Sequence, residues 1–266
     1  MRFVILHYHF LKNAGTSIEN ILHRSFGGYF TTIDTQDRDG HVSNDALLAS
    51  LQSNPLLKAV SSHQLRYPKP LVPGFLFFDV CFLRDPIDRI RSMYNYFREK
   101  PVAGDPVSEI ASHSTLGDFI AHLVEQMPWH VNDAQVNLLA NGIANDPPTE
   151  GDFERAAGVM LRTSFLGVVD RFHESLSAGH HFLRPIFPEL NCVPEVANVS
   201  SGIGSTLLER IAKVREACES GVYAELLRLN ALDSKLLSLA RAEVDRRFLQ
   251  SQAPANSISE STCAQS

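Results

Sequence analysis

Phe3-Val4-Ile5-Leu6-His7-Tyr8-His9-Phe10 runs into Leu11-Lys12-Asn13-Ala14-Gly15-Thr16-Ser17, and Ile18-Glu19-Asn20-Ile21-Leu22 follows directly. The apolar run predicts a buried strand over residues 2–10. Ile18, Ile21, Leu22 and Phe26 recur at helical spacing and predict a helix over 15–27. A strand, a turn of small residues and a helix start together make an anion site. The unpaired amides of a first helical turn face the ligand, and the helix dipole favours negative charge. Gly15 lets backbone approach closely, Thr16 and Ser17 add hydroxyls, and Lys12 adds a positive charge. The plain alternative is a helix cap in which Thr16 or Ser17 merely satisfies free amides.

Phe75 to Leu83 is apolar except for Asp79 and predicts a central strand. Arg84-Asp85-Pro86 ends it, with Asp85 suited to a helix N-cap and Pro86 to the first helical turn. The helix over 86–99 buries Ile87, Ile90, Tyr94 and Phe97 and puts Asp88, Arg89, Ser92 and Tyr96 on the opposite face, for which the plain alternative is a solvated polar surface with Asp85 as a structural cap. Two strand-to-helix junctions, each with a cation and hydroxyls, are therefore expected at one sheet edge.

The loop is not that of nucleoside-triphosphate enzymes, whose lysine follows the last glycine. Lys12-x-x-Gly15-Thr16-Ser17 resembles the 5′-phosphosulfate loop of sulfotransferases that use 3′-phosphoadenosine 5′-phosphosulfate (PAPS). Arg84-Asp85-Pro86, with Arg89, Ser92 and Tyr94 following, resembles the 3′-phosphate element of the same superfamily. Weaker likenesses to its carbohydrate branch, which includes heparan sulfate 2-O-sulfotransferases, lie in residues 165–176, in Asn198-Val199-Ser200 and in residues 232–237. The Arg-Lys-Gly and Gly-Asp-Trp segments of the small-molecule branch are missing, the single tryptophan being Trp129.

The resemblance implies a P-loop-like α/β fold: a three-layer sandwich with a central parallel sheet and a helical C-terminal half. It implies transfer of a sulfonyl group from PAPS to a hydroxyl, most naturally on a carbohydrate. Lys12, Asn13, Ala14, Gly15, Thr16 and Ser17 would hold the 5′-phosphosulfate, with Lys12 also catalytic, while Arg84 and Ser92 would hold the 3′-phosphate. Guanidinium forks match phosphate oxygens. The family has a histidine base after the corresponding third strand, and His63 follows a strand predicted at 57–61. Glu19 and His41 are the reserves for that role. The alternatives are a nucleotide kinase or hydrolase, and a non-catalytic nucleotide-binding module.

Composition agrees with one domain over 1–249, followed by a Ser-, Gln- and Ala-rich tail over 250–266 read as disordered. The net charge is −6, yet residues 1–100 hold 12 Lys/Arg against 9 Asp/Glu, and residues 101–266 hold 12 against 21. The half with both phosphate motifs is the positive one, which suits an anionic cofactor. There is no basic stripe for nucleic acid and no apolar run long enough for a bilayer. A signal peptide would overlap the cofactor loop, so the expected location is cytoplasmic. The four cysteines have no metal-ligand spacing, and a Cys192–Cys218 bridge is left open. No metal is expected, because neither His7–His9 nor His180–His181 has a neighbouring carboxylate or cysteine in sequence. Further expected helices cover 44–52, 115–127, 132–141, 150–162, 171–183, 205–218 and 220–248, with loops at 64–74 and 100–114. Oligomeric state is not readable.

Overall fold

The apolar runs become the strands of one parallel sheet. The protein is a computed structural model in which residues 1–35, 40–142, 146–193 and 205–253 are described. Its strands are β1 (Arg2–Tyr8), β2 (Phe30–Thr32), β3 (Ala59–Ser62), β4 (Phe75–Leu83) and β5 (Phe165–Val168), in the order β2-β3-β1-β4-β5. All four pairings are parallel, with Ile5 opposite Ala59 on one side and Phe78 on the other. The helices are α1 (Gly15–Phe26), α2 (Asn44–Ser53), α3 (Pro86–Glu99), α4 (Pro106–His113), α5 (Leu116–Gln126) and α6 (Ala134–Ala140). They continue as α7 (Glu150–Arg162), α8 (Phe172–Leu183), α9 (Leu207–Ala217), α10 (Ser220–Leu229) and α11 (Ala231–Gln252).

Strand alternation assigns the two faces. Val4, Leu6 and Tyr8 of β1, with Phe77, Cys81 and Leu83 of β4, pack under α2, α6, α7 and α11. Ile5, Phe78, Val80 and Phe82 face the other way, against Ile18, Ile21 and Leu22 of α1 and Leu176 of α8. Helices thus cover both faces of a parallel sheet, as its doubly buried strands require. Asp79 interrupts β4 because it is paired with Lys69 at 2.6 Å and accepts hydrogen bonds from the amide and hydroxyl of Ser164. A third apolar cluster joins α3, α4, α5, α9 and α10 into a helical lobe beside the sheet.

Several expectations are corrected. β1 stops at Tyr8, so residues 9 and 10 belong to the loop, and the strand expected at 57–61 runs from Ala59 to Ser62. The segment 100–114 contains α4, started by Asp105, whose side chain accepts from the Ser108 amide, with Pro106 next. The polar face of α3 is buried, not solvated: Asp88 is 1% exposed, Arg89 5% and Ser92 7%. α11 extends through residues 250–252, which the tail was expected to include. Cys192 and Cys218 are both free thiols. Asn198-Val199-Ser200, Cys263 and the remainder of the tail lie outside the described residues. Among the described residues, no helix is long and apolar enough to cross a membrane.

Candidate functional site

Because every strand is parallel, the segments after Tyr8, Ser62 and Leu83 emerge at one sheet edge, where open α/β sheets bind ligands. The loop after β1 folds back on itself, the Asn13 amide donating to the Phe10 carbonyl at 3.1 Å. Lys12 and Ala14 have left-handed backbone, φ 65° and 63°, although neither is glycine. Such residues cost roughly 1–3 kcal/mol each and persist where the surroundings enforce them. Ala14 is the N-cap of α1 and no side chain caps the helix. Neither Thr16 nor Ser17 plays the structural cap, so the first-turn amides of Gly15 and Thr16 keep their donors.

The Asn13 side chain is turned into the fold. It is 2% exposed, and its Nδ2 donates to the Phe82 carbonyl and to Gln135 Oε1, both at 2.8 Å. Gln135 Oε1 also accepts the Arg84 amide at 2.9 Å, and its Nε2 donates to the Arg84 carbonyl. One buried glutamine from α6 therefore stitches the two phosphate-type motifs together. Gln135 is itself fixed by Asp233 of α11, whose carboxylate accepts the Gln135 and Val136 amides at 3.1 and 2.8 Å.

Arg84 connects the motifs directly. Its Nη1 donates to the Lys12 carbonyl at 2.9 Å, and its Nε donates to Asp88 at 2.8 Å. Arg210, from α9, meets the same Asp88 at 2.8 Å. Burial works against the Asp88 charge, but the two guanidinium groups outweigh it and hold the carboxyl below its ordinary range. Two cations share one carboxylate, leaving a surplus positive charge beside the loop. Ser92 lies one helical turn beyond Asp88, and among the described residues its hydroxyl makes no hydrogen bond. Lys12 Nζ sits 4.2 Å above the Tyr96 ring. Burial, then the nearby Arg84 charge, lower its pKa to about 8.

The histidines form the other half of the site. His63, directly after β3, is exposed; its Nδ1 is 2.9 Å from the His9 carbonyl, and its amide donates to Asp34. A carbonyl only accepts, so Nδ1 carries the hydrogen and Nε2 keeps its lone pair. Desolvation of the ring, then the neighbouring His9, lower the His63 pKa. The His9 and His63 rings lie 3.7 Å apart between centroids. His9 Nδ1 is 2.9 Å from Glu19, Ser61 Oγ donates to the same Glu19 oxygen at 2.8 Å, and His7 Nδ1 meets Ser61 Oγ at 2.8 Å. Burial raises the Glu19 pKa, but the His9 and Ser61 hydrogen bonds prevail and hold it at about 2. That makes Glu19 a poor base. His41 is exposed, and among the described residues it has no hydrogen bond to this cluster. Lys69, held by Asp79, is committed elsewhere.

Gly15 has a reason that sequence alone did not supply. It begins α1 with ordinary backbone, but a Cβ there would stand 1.8 Å from His9 Cδ2 and 1.9 Å from Nε2. The close approach is by the His9 ring. Gly15→Ala is expected to destabilise the fold by about 1–3 kcal/mol, as overpacking does. Thermal unfolding of Gly15→Ala, His9→Ala and the double variant checks this. Loss of the ring should relieve the clash, so strictly additive effects would exclude it.

Sequence reasoning does not single out Gln135 or Arg210, takes His9 only as half of the His7–His9 pair, and includes Asp233 only within the segment 232–237. Gln135, Arg210 and Asp233 reach the site across long sequence separations.

No family model matches the chain. A protein of Archaeoglobus fulgidus, described as uncharacterized, is 25% identical over 240 residues, covering 88% of this chain and 94% of that one. The likeness spans nearly the full length of both chains, and its printed description assigns no activity.

Proposed function

We propose that the protein is a PAPS-dependent sulfotransferase of P-loop-like fold that acts on a hydroxyl, with a carbohydrate as acceptor. The observation that carries this reading is the joint between the two motifs. Arg84 donates to the Lys12 carbonyl beside an uncapped helix start. The cationic start of α3 is thereby held beside the uncapped start of α1, an arrangement that suits a nucleotide with phosphates at two positions. The half-buried, positively charged pair of Arg84 and Arg210 adds to the support, and so does the Ser92 hydroxyl, which has no hydrogen-bond partner among the described residues.

The amides of Gly15 and Thr16 and the hydroxyls of Thr16 and Ser17 hold the 5′-phosphosulfate. Arg84 and Ser92 bind the 3′-phosphate, with Arg210 supplying the second guanidinium. His63 Nε2 takes the proton of the acceptor hydroxyl as its oxygen bonds to sulfur. The bond from sulfur to the bridging oxygen breaks, and 3′,5′-ADP leaves with the electron pair. Lys12 stabilises the charge that grows on that oxygen. Positioning and charge stabilisation supply most of the rate, as in phosphoryl transfer.

The test is a thermal-shift comparison of 3′,5′-ADP, 5′-ADP and ATP. At 100 times its dissociation constant, 3′,5′-ADP should add about 2.7 kcal/mol, and 5′-ADP far less. Equal shifts from the two diphosphates overturn the 3′-phosphate assignment. A larger, magnesium-dependent shift with ATP points instead to a kinase or hydrolase.

A further inference from the structure

We propose that His7, His9 and Glu19 form a binding site for one divalent transition-metal ion of the zinc type. Each side chain offers one donor atom, and these atoms all lie within 4.8 Å of one another. His7 comes from the end of β1, His9 from the start of the loop that follows it, and Glu19 from the second turn of α1. Two imidazoles and one carboxylate are a donor set that zinc and its first-row neighbours accept, leaving a further position open.

The surroundings suit such an ion. Ser61 of β3 contacts both His7 Nδ1 and Glu19, the kind of outer hydrogen bonding that orients metal ligands. The His63 ring packs against that of His9, 3.7 Å between centroids and tilted by 31°. Metal binding needs a neutral imidazole and an ionised carboxylate. The set then carries one negative charge towards a dication. Glu19, with 24% of its side chain exposed, opens the cluster to solvent, while His7 and His9 line its buried side. Tetrahedral zinc sets its ligands roughly 3.4 Å apart, and His9 Nδ1 to Glu19 is already 2.9 Å. Side-chain adjustment of about an ångström closes the site. A bound ion would tie the last residues of β1 to α1 and so fix both ends of the anion loop.

The experiment titrates the untagged full chain with Co²⁺ and then Zn²⁺. One equivalent of Co²⁺ should bind with visible d–d absorption of a four- or five-coordinate site, and Zn²⁺ should displace it. Ser61→Ala should weaken Zn²⁺ binding roughly 10- to 100-fold, as loss of an outer hydrogen bond does, and Glu19→Gln should weaken it more. His181→Gln, at an exposed histidine outside the cluster, is the control and should bind as wild type. The wild-type spectrum needs no variant to fold. Absence of a stoichiometric d–d signal overturns the site, as does binding that Glu19→Gln leaves unchanged. The nucleotide shifts are read separately, so failure of the metal site leaves the sulfotransferase reading standing, and the reverse also holds.

Discussion

His63→Ala is expected to lower sulfonyl transfer roughly 100- to 10,000-fold, the usual contribution of a general base. Nucleotide binding and melting temperature should stay near wild type. The expectation rests on the hydrogen bond from Nδ1 to the His9 carbonyl, which leaves Nε2 as the basic atom. The lowered pKa keeps the ring neutral near pH 7, the form that accepts a proton. The residue is exposed, so truncation removes little beyond its contact with the His9 ring, and a purely structural histidine would show its loss in stability. The measurements are turnover with PAPS and an accepted hydroxyl, 3′,5′-ADP affinity, and thermal unfolding, side by side. Turnover retained within a few-fold takes His63 out of the chemistry. Glu19, held at about 2, is then no ready substitute. A non-catalytic binding module would show no such split at any residue.

Lys12→Ala is expected to cost on the order of 100-fold or more in turnover and much less in 3′,5′-ADP affinity, because the cation acts on charge that develops as the bond to sulfur breaks. Its position makes a second reading available. With a pKa lowered to about 8, the free enzyme loses this cation as pH rises through that value. The active form is the protonated one, so kcat/KM should fall on the alkaline side of about 8, tenfold per pH unit beyond it. The residual activity of Lys12→Ala should lack this limb. A variant with normal turnover, or a limb that persists without the lysine, assigns both effects to another group.

Much of the fold was legible because its signals are local. The strand over 75–83 and the helix over 86–99 stand as read, since an apolar run, an Asp N-cap and a proline at the first turn fall within a few residues of one another. α4 carried the same Asp-Pro signal at Asp105-Pro106 and was read as a loop; its apolar positions, Val107 and Ala111, are too few to mark a stripe. The partners that bury the polar face of α3 are not encoded near it in the sequence. Asp88 and Arg89 look solvated until Arg210 arrives from α9 to pair with one and the His130 carbonyl accepts from the other.

At the site, the same division holds. Lys12, Gly15 and Arg84 were visible as motif residues, and their meeting followed from two strand ends lying side by side. Asn13 fits the motif but works as a brace, because its partner Gln135 is 122 residues away. His7 and His9 were seen as a pair on one strand face. Glu19, weighed separately as a base, joins them only once α1 folds back over β1, which no spacing in the sequence encodes.

The order of the strands has a consequence for how the chain is made. β1 is the earliest of the five in the sequence and the middle one in the sheet, paired to β3 and β4. Translation delivers roughly 5–20 residues per second, and β1 lacks one of its two neighbours until Leu83 has been added. Through that interval Val4, Ile5 and Leu6, among the most deeply buried residues of the finished protein, can pair with β3 on one side only. The strand that leads into the Lys12–Ser17 loop thus keeps an unpaired apolar edge on the ribosome, and pauses before Leu83 lengthen its exposure.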